Sequence, residues 1–364
     1  MLFSQSLWLL AALNPNPEGP GEERRSGRRE CTPDVRPIRR EWGSLSTDER
    51  LDYINAMKCM QSKPPTLPQD KYPGVRHRMD DFTATHVNYT LSTHISGIFF
   101  AWHRHFVWLW EKALRAECGY KGHQPYWNWA LSANNLSASP IFDGSPTSLS
   151  GNGDPIKQDP LLRLQPTNIS IPTGSGGGCV TNGPFANMTI NLPDLPVAGD
   201  DKLPPNAFDY NPHCFTRDLN SYVSRTFTGQ ADVDRLLNSP TIAHLHANMD
   251  FSAWPELRDA RIMGPHAAAH LSLGMTMYNL WTAPQDPSFM LHHAQVDRVW
   301  SLWQARDLES RRWAMNGTST MNNKPTTPEV TLDTELAWGT LSENKTMREL
   351  MSTEAYHLCY EYGD

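Results

Sequence analysis

Two windows of histidine constrain this chain more than any other feature. The first contains His86, His94 and His103, and the second contains His266 and His270, with His293 beyond them. A helix advances about 100° per residue, so His94 and His103 would face opposite sides of one continuous helix. They converge only if His94 precedes the helix that carries His103. Residues 88 to 97 are poor in helix formers, whereas the aromatic and aliphatic run from Gly97 to Cys118 has the pattern of a buried helix. His266 and His270, at i and i+4, share one helical face, the common way for a helix to offer two imidazoles to a single metal. A third comes from a separate helix on which Phe289, His293, Asp297 and Trp300 share an inward face. Two sets of three imidazoles result, with Asp297 a candidate for orienting them from behind.

Either half of this pattern alone says little. A single His-x-x-x-His arises often by chance, and no Glu follows His266 to suggest a zinc-protease motif. His244 and His246 would point to different sides of a helix and read as ordinary polar contacts, as do His77, His105, His123, His213 and His357. The coincidence of the two windows is what points to metal.

The rest of the chain predicts one mainly α-helical domain with long loops. Hydrophobic residues at 39% and charged residues at 20% suit a globular protein, and 13 Trp promise a large aromatic core. A capping box, Ser46 with Glu49, opens a helix running to about Met60. Residues 132 to 212 turn rich in Ser, Gly, Pro and Asn and read as a long irregular loop, tied down if Cys179 pairs with Cys214. Helical patterning returns over about 218–237, 263–273 and 288–306, and no repeat is present.

Residues 1–30 read as a signal, propeptide or N-terminal arm, and 31–364 as the catalytic domain. The apolar run Leu2 to Leu13 resembles a secretory signal, and Arg28-Arg29 before Cys31 offers a processing site. Six sequons, at Asn88, Asn135, Asn168, Asn187, Asn316 and Asn344, accompany six cysteines without a C-x-x-C pair. A secreted, disulfide-bonded glycoprotein fits these features better than a cytosolic chain with free thiols. A net charge of −7 with no long basic block argues against a nucleic-acid partner, and no apolar stretch is long enough to span a membrane. Nothing in the sequence fixes an oligomeric state.

The segment His94-Ile-Ser-Gly-Ile-Phe-Phe-Ala-Trp-His103-Arg104, followed by Glu111, resembles the first copper signature of the tyrosinase and catechol oxidase family. Asp286-Pro-Ser-Phe-Met-Leu-His-His293-Ala-Gln-Val-Asp297-Arg298 resembles the second, and Gly264-Pro-His-Ala-Ala-Ala-His270 lies between them. Tyr360-Glu-Tyr362 is similar to the tyrosine motif that closes the catalytic domain. The resemblance covers roughly Cys31 to Gly363. It implies a four-helix bundle housing a dinuclear centre of two copper ions, with His86, His94 and His103 on one and His266, His270 and His293 on the other. The signature selects His293 over His292. An all-imidazole set suits copper.

The chemistry implied is oxidation of ortho-diphenols to ortho-quinones, with a small phenolic substrate and O2 as partners. Longer members carry a C-terminal domain over the site, so a short, fungal-type enzyme with an open site is expected. Ser92 stands where many members have a cysteine bonded to a ligand histidine. Ala267 stands where many tyrosinases have an Asn that helps position a water for deprotonating monophenols. Glu256 is a candidate acidic partner, weighed against a plain surface carboxylate. Ala267 and Leu271 are expected to shape the substrate pocket, and Phe99, Phe289 and Trp102 either wall it or pack the core. A catechol oxidase is therefore the first reading. A tyrosinase that also hydroxylates monophenols or aminophenols is the second, and an oxygen carrier of hemocyanin type the third.

Overall fold

Ser46 begins the first helix by chemistry alone. Its hydroxyl accepts from the Glu49 N–H, the Glu49 carboxylate accepts from the Ser46 N–H, and helix α1 (Thr47–Ser62) follows. Helix α2 (Arg78–Thr93) starts in the same manner, with His77 Nδ1 accepting the Asp80 N–H and Asp80 accepting the His77 N–H. Helix α3 (Phe99–Cys118) is buried along most of its length and ends at Gly119, whose φ of 70° is the left-handed conformation that stops a helix cleanly. The computed structural model describes residues 31–164, 169–196, 202–250, 263–354 and 357–363.

Helix α2 extends further than its composition predicts, through Thr93. The Thr85 and Thr90 hydroxyls bond back to the carbonyls of Asp81 and His86, and Val87, Thr90 and Thr93 are buried. Packing of that face outweighs propensity differences of a few tenths of a kcal/mol per residue. His94 is thus off the helix, as its spacing from His103 demands, but it is the residue that ends α2, with extended backbone.

After the short α4 (Trp129–Ser132), the stretch expected to be one irregular loop contains three short antiparallel pairs: Gly153–Pro155 with Gly177–Val180, Leu161–Leu164 with Ile169–Pro172, and Thr189–Ile190 with His213–Cys214. Cys179 bonds Cys214 across it. Arg217, fully buried, fastens the stretch to the body. It donates to the carbonyls of Leu149, Ser150 and Gly151 and pairs with Asp286 at 2.8 Å. The helical stretch expected over 218–237 is two helices, α5 (Ser221–Phe227) and α6 (Gln230–Leu237), broken at Thr228 and Gly229. Helix α7 (Ile242–Met249), α8 (Pro265–Leu273), α9 (Met275–Tyr278) and α10 (Phe289–Ala305) complete the set that builds the site.

The four elements that carry the clustered histidines are α2, α3, α8 and α10. Helix α3 packs on α10 and α2, and α10 also meets α8. Their shared core is aromatic, with Trp42, Trp102, Trp110, Trp127, Trp129, Trp300 and Trp303 all buried. Cys59–Cys118 staples α1 to α3, and Cys31–Cys359 joins the two ends of the described chain. Beside that last bridge, Ile38–Arg39 pairs in parallel with Glu361–Tyr362. Among the described residues no helix is long and apolar enough to cross a membrane.

Candidate metal centre

His86 projects from α2, and its Nδ1–H donates to the Trp281 carbonyl at 2.7 Å. His94 Nδ1–H donates to the Thr90 carbonyl at 3.0 Å, and His103 Nδ1–H to the Phe99 carbonyl at 2.9 Å. A carbonyl only accepts, so each Nδ1 carries the proton and each Nε2 carries the lone pair. The three rings offer nitrogens within 4.8 Å of one another. Nε2 of His86 and of His103 is buried without a partner among the described residues.

The turn that aims His94 is held from outside. Ile95 has a φ of 46°, a left-handed conformation that a β-branched residue resists, and the Asn322 N–H secures its carbonyl. Gly97 sits against the backbone of Asn316 and Gly317, where a Cβ would find no space.

In the second group His266, His270, His292 and His293 also offer nitrogens within 4.8 Å of one another. His270 Nδ1–H donates to the Met277 carbonyl at 2.7 Å. His266 Nδ1 is 3.2 Å from Asp250 Oδ2, a carboxylate where the other rings have carbonyls. Neither nitrogen of His293 has a hydrogen-bond partner among the described residues. His292 differs again, because its Nδ1 accepts from Trp129 Nε1–H at 3.0 Å. The two groups meet where the rings of His103 and His293 stack at 4.2 Å.

Burial sets the charge of the rings. Loss of water pushes His86, His103, His292 and His293 well below the ordinary imidazole range, and neighbouring imidazoles push in the same direction. Burial lowers His94 to about 4 and His270 to about 3. His86, His94, His103, His270, His292 and His293 are therefore neutral at pH 7, the form in which an imidazole binds metal. Buried, neutral nitrogens with unused lone pairs in two adjacent groups fit a pair of metal ions of the class that favours imidazole, copper among them.

Phe99 and Phe289 lie between the groups. Phe99 is 4.8 Å from both His103 and His266, and Phe289 is 4.3 Å from His293 and 5.3 Å from His86. Trp102 lies behind His86 and donates to the Ala337 carbonyl. Ala267 and Leu271 are buried in an apolar cluster with Ile171, Val223, Phe227 and Met263.

Asp297 requires a correction. It does not orient an imidazole among the described residues; its carboxylate receives Arg104 at 2.5 Å and the Tyr360 and Tyr362 hydroxyls at 2.6 Å. It is fully engaged in binding α3 and the C-terminal strand to α10. Arg104 adjoins His103, and Asp297 is one turn from His293, so the ion pair sets the spacing of the helices that carry those rings.

Sequence reasoning missed Asp250. It ends α7, and only the close approach of α7 to the start of α8 brings it to His266. Gly264 permits that approach, since a Cβ there would run into the Met249 carbonyl. No spacing rule reports such a contact. Glu256, its rival for the acidic role, lies outside the described residues. His246 packs 4.5 Å from Phe100 in the core, and burial lowers it to about 3. His105 bonds Ser342 and His357, and His123 bonds Glu111. Ser92 bonds the Tyr89 carbonyl. Of the sequons, Asn88, Asn135, Asn187 and Asn344 are exposed, Asn316 has its side-chain oxygen buried, and Asn168 lies outside the described residues, as do residues 1–30 with Arg28-Arg29.

Residues 76–306 match the family model described as the common central domain of tyrosinase. The chain is 80% identical over 285 residues, 78% of its length, to all of "Oxidase hkm6" of Aspergillus hancockii. It is 48% identical to "Tyrosinase P" of Aspergillus terreus, covering 89% of this chain and 91% of that one. Its structure is similar to that of a polyphenol oxidase variant from Thermothelomyces thermophila, with a TM-score of 0.83, 41% identity, and 92% and 91% of the two chains covered.

Proposed function

The chain belongs to the tyrosinase family of oxidases, and from that premise we propose that it is a catechol oxidase. It converts ortho-diphenols to ortho-quinones with O2, so that two diphenols and one O2 give two quinones and two waters. The family implies a dinuclear copper centre. His86, His94 and His103 would hold one ion, and His266, His270 and His293 the other. A copper pair supplies two-electron exchange between a phenol and O2.

The observation that carries this reading is the direction of the Nδ1 hydrogen bonds. His86, His94, His103 and His270 each tie Nδ1–H to a backbone carbonyl, which fixes both the tautomer and the ring plane and leaves Nε2 for metal. Asp250 does the same for His266 with a carboxylate in place of a carbonyl. Phe99 of α3 and Phe289 of α10 pack apolar rings against imidazoles of both groups. His270 is only half-buried, so substrate approaches from its side.

Diphenol oxidation is favoured over monophenol hydroxylation by Ala267, which offers no group to position a water and packs among apolar side chains. A tyrosinase is the second reading, favoured by the relative named "Tyrosinase P". Oxygen uptake by copper-loaded protein separates them. Uptake with catechol and none with tyramine is expected; prompt uptake with tyramine would replace the first reading by the second, and no uptake with either would remove both. Secretion accompanies this reading, supported by three disulfides and by exposed Asn88, Asn135, Asn187 and Asn344 as glycan acceptors.

A further inference from the structure

Seven imidazoles, not six, meet at the two groups, and the seventh is bonded the wrong way round for a ligand. His292 is fully buried, stacks on His266 at 5.2 Å with ring planes 15° apart, and lies 4.5 Å from His270. Its Nδ1 faces the Nε1–H of Trp129, which is fully buried on α4. Indole nitrogen donates and never accepts, so the lone pair of His292 is on Nδ1. A doubly protonated ring would set N–H against N–H, which this contact forbids. The proton therefore sits on Nε2, the reverse of His86, His94, His103 and His270. An Nε2–H cannot coordinate a metal without losing its proton.

That Nε2–H is buried with no acceptor among the described residues. Leaving a donor unsatisfied inside a folded chain costs stability, so its partner is expected to arrive with whatever binds there. We propose that Trp129 fixes His292 as an N–H donor beside the second metal site, and that its acceptor is the phenolate oxygen of the bound substrate. His292 is then a substrate-binding residue and Trp129 the residue that positions it. This rests on the reading of the site as a phenol oxidase, but the tautomer half stands without copper.

The test begins with copper-free protein labelled with 15N-histidine. Long-range 1H–15N correlation should show a neutral Nε2–H ring that is missing from the His292→Phe spectrum and shifts toward the Nδ1–H form in Trp129→Phe. An Nδ1–H ring at His292, or a spectrum that Trp129→Phe leaves unchanged, would overturn the proposal. On copper loading, His292→Phe should keep two ions per chain while KM for catechol rises about tenfold or more, as loss of a hydrogen bond to a charged oxygen would give, with kcat nearly unchanged. Loss of an ion from His292→Phe, or an unaltered KM, refutes the assignment. His293→Phe should drop to one ion. If it keeps two while the His292 tautomer is as stated, the ligand set of the proposed function fails and the role of Trp129 stands. Should His292→Phe not fold, Trp129→Phe alone decides through the tautomer and KM.

Discussion

An imidazole can be a ligand, a donor or a piece of core, and what decides among these is the atom opposite Nδ1. Four rings here face carbonyls, one faces a carboxylate, one faces an indole N–H, and Nδ1 of His293 has no partner among the described residues. The carboxylate makes His266 the most strongly supported donor, and second-layer partners of metal-binding histidines are typically worth roughly 10–100-fold in metal affinity. Asp250→Asn should therefore weaken the second copper by a factor in that range and leave the first unchanged, read by competition with a copper chelator. Equal loss at both sites would mean that Asp250 acts through the fold and not through His266. The clustered histidines were legible in the sequence because ligand spacing leaves a trace along a helix. The Nδ1 partners of His86, His270 and His292 were not, because Trp281, Met277 and Trp129 reach the rings only through tertiary packing.

At the scale of elements, local signals located α1, α3, α8 and α10 to within about two residues at each end, and missed α2 and the break between α5 and α6. The Ser46–Glu49 capping box is a chemical signature contained in four residues, and α1 begins where it predicts. Helix α2 runs on through residues 88–93, poor helix formers, because its threonines bond back to carbonyls and its face is buried, neither of which composition reports. The contact between α7 and α8 depends on a single missing Cβ. Gly264→Ala should push the Met249 carbonyl away from α8, destabilising the fold by roughly 1–3 kcal/mol as overpacking does and loosening the second copper as Asp250 withdraws. A thermal melt together with the copper titration checks both, and an unchanged melting temperature would show that the two helices separate freely. The ion pair of Arg104 with Asp297 has the opposite role of holding helices together. Asp297→Ala leaves the buried Arg104 without its carboxylate partner, a change expected to cost about 3–5 kcal/mol, measured by urea unfolding.

Over the whole molecule, both ends of the described chain close on the helices that carry His103 and His293. Cys31 bonds Cys359, Arg39 pairs with Glu111 of α3 at 2.7 Å, and Tyr360 and Tyr362 reach Asp297 of α10. Glu111 also receives His123. Burial alone would raise the Glu111 carboxyl, but the Arg39 charge and the His123 hydrogen bond win and hold it at about 2, below its ordinary 4.5. A carboxyl depressed on folding contributes stability that is complete above its unfolded value and disappears as pH falls through its folded one. The Arg39–Glu111 contribution should thus be constant from pH 7 to about 4.5, decline by about 1.4 kcal/mol per pH unit below that, and be gone near pH 2. Glu111→Gln removes the charge and keeps the shape. Its deficit against the parent chain, measured by urea unfolding, should be a few kcal/mol at pH 7 and shrink steadily between pH 4.5 and 3. A deficit that stays level across that interval would mean that Glu111 supports the termini by packing alone, and the charge network would then have no part in closing the chain over its metal centre.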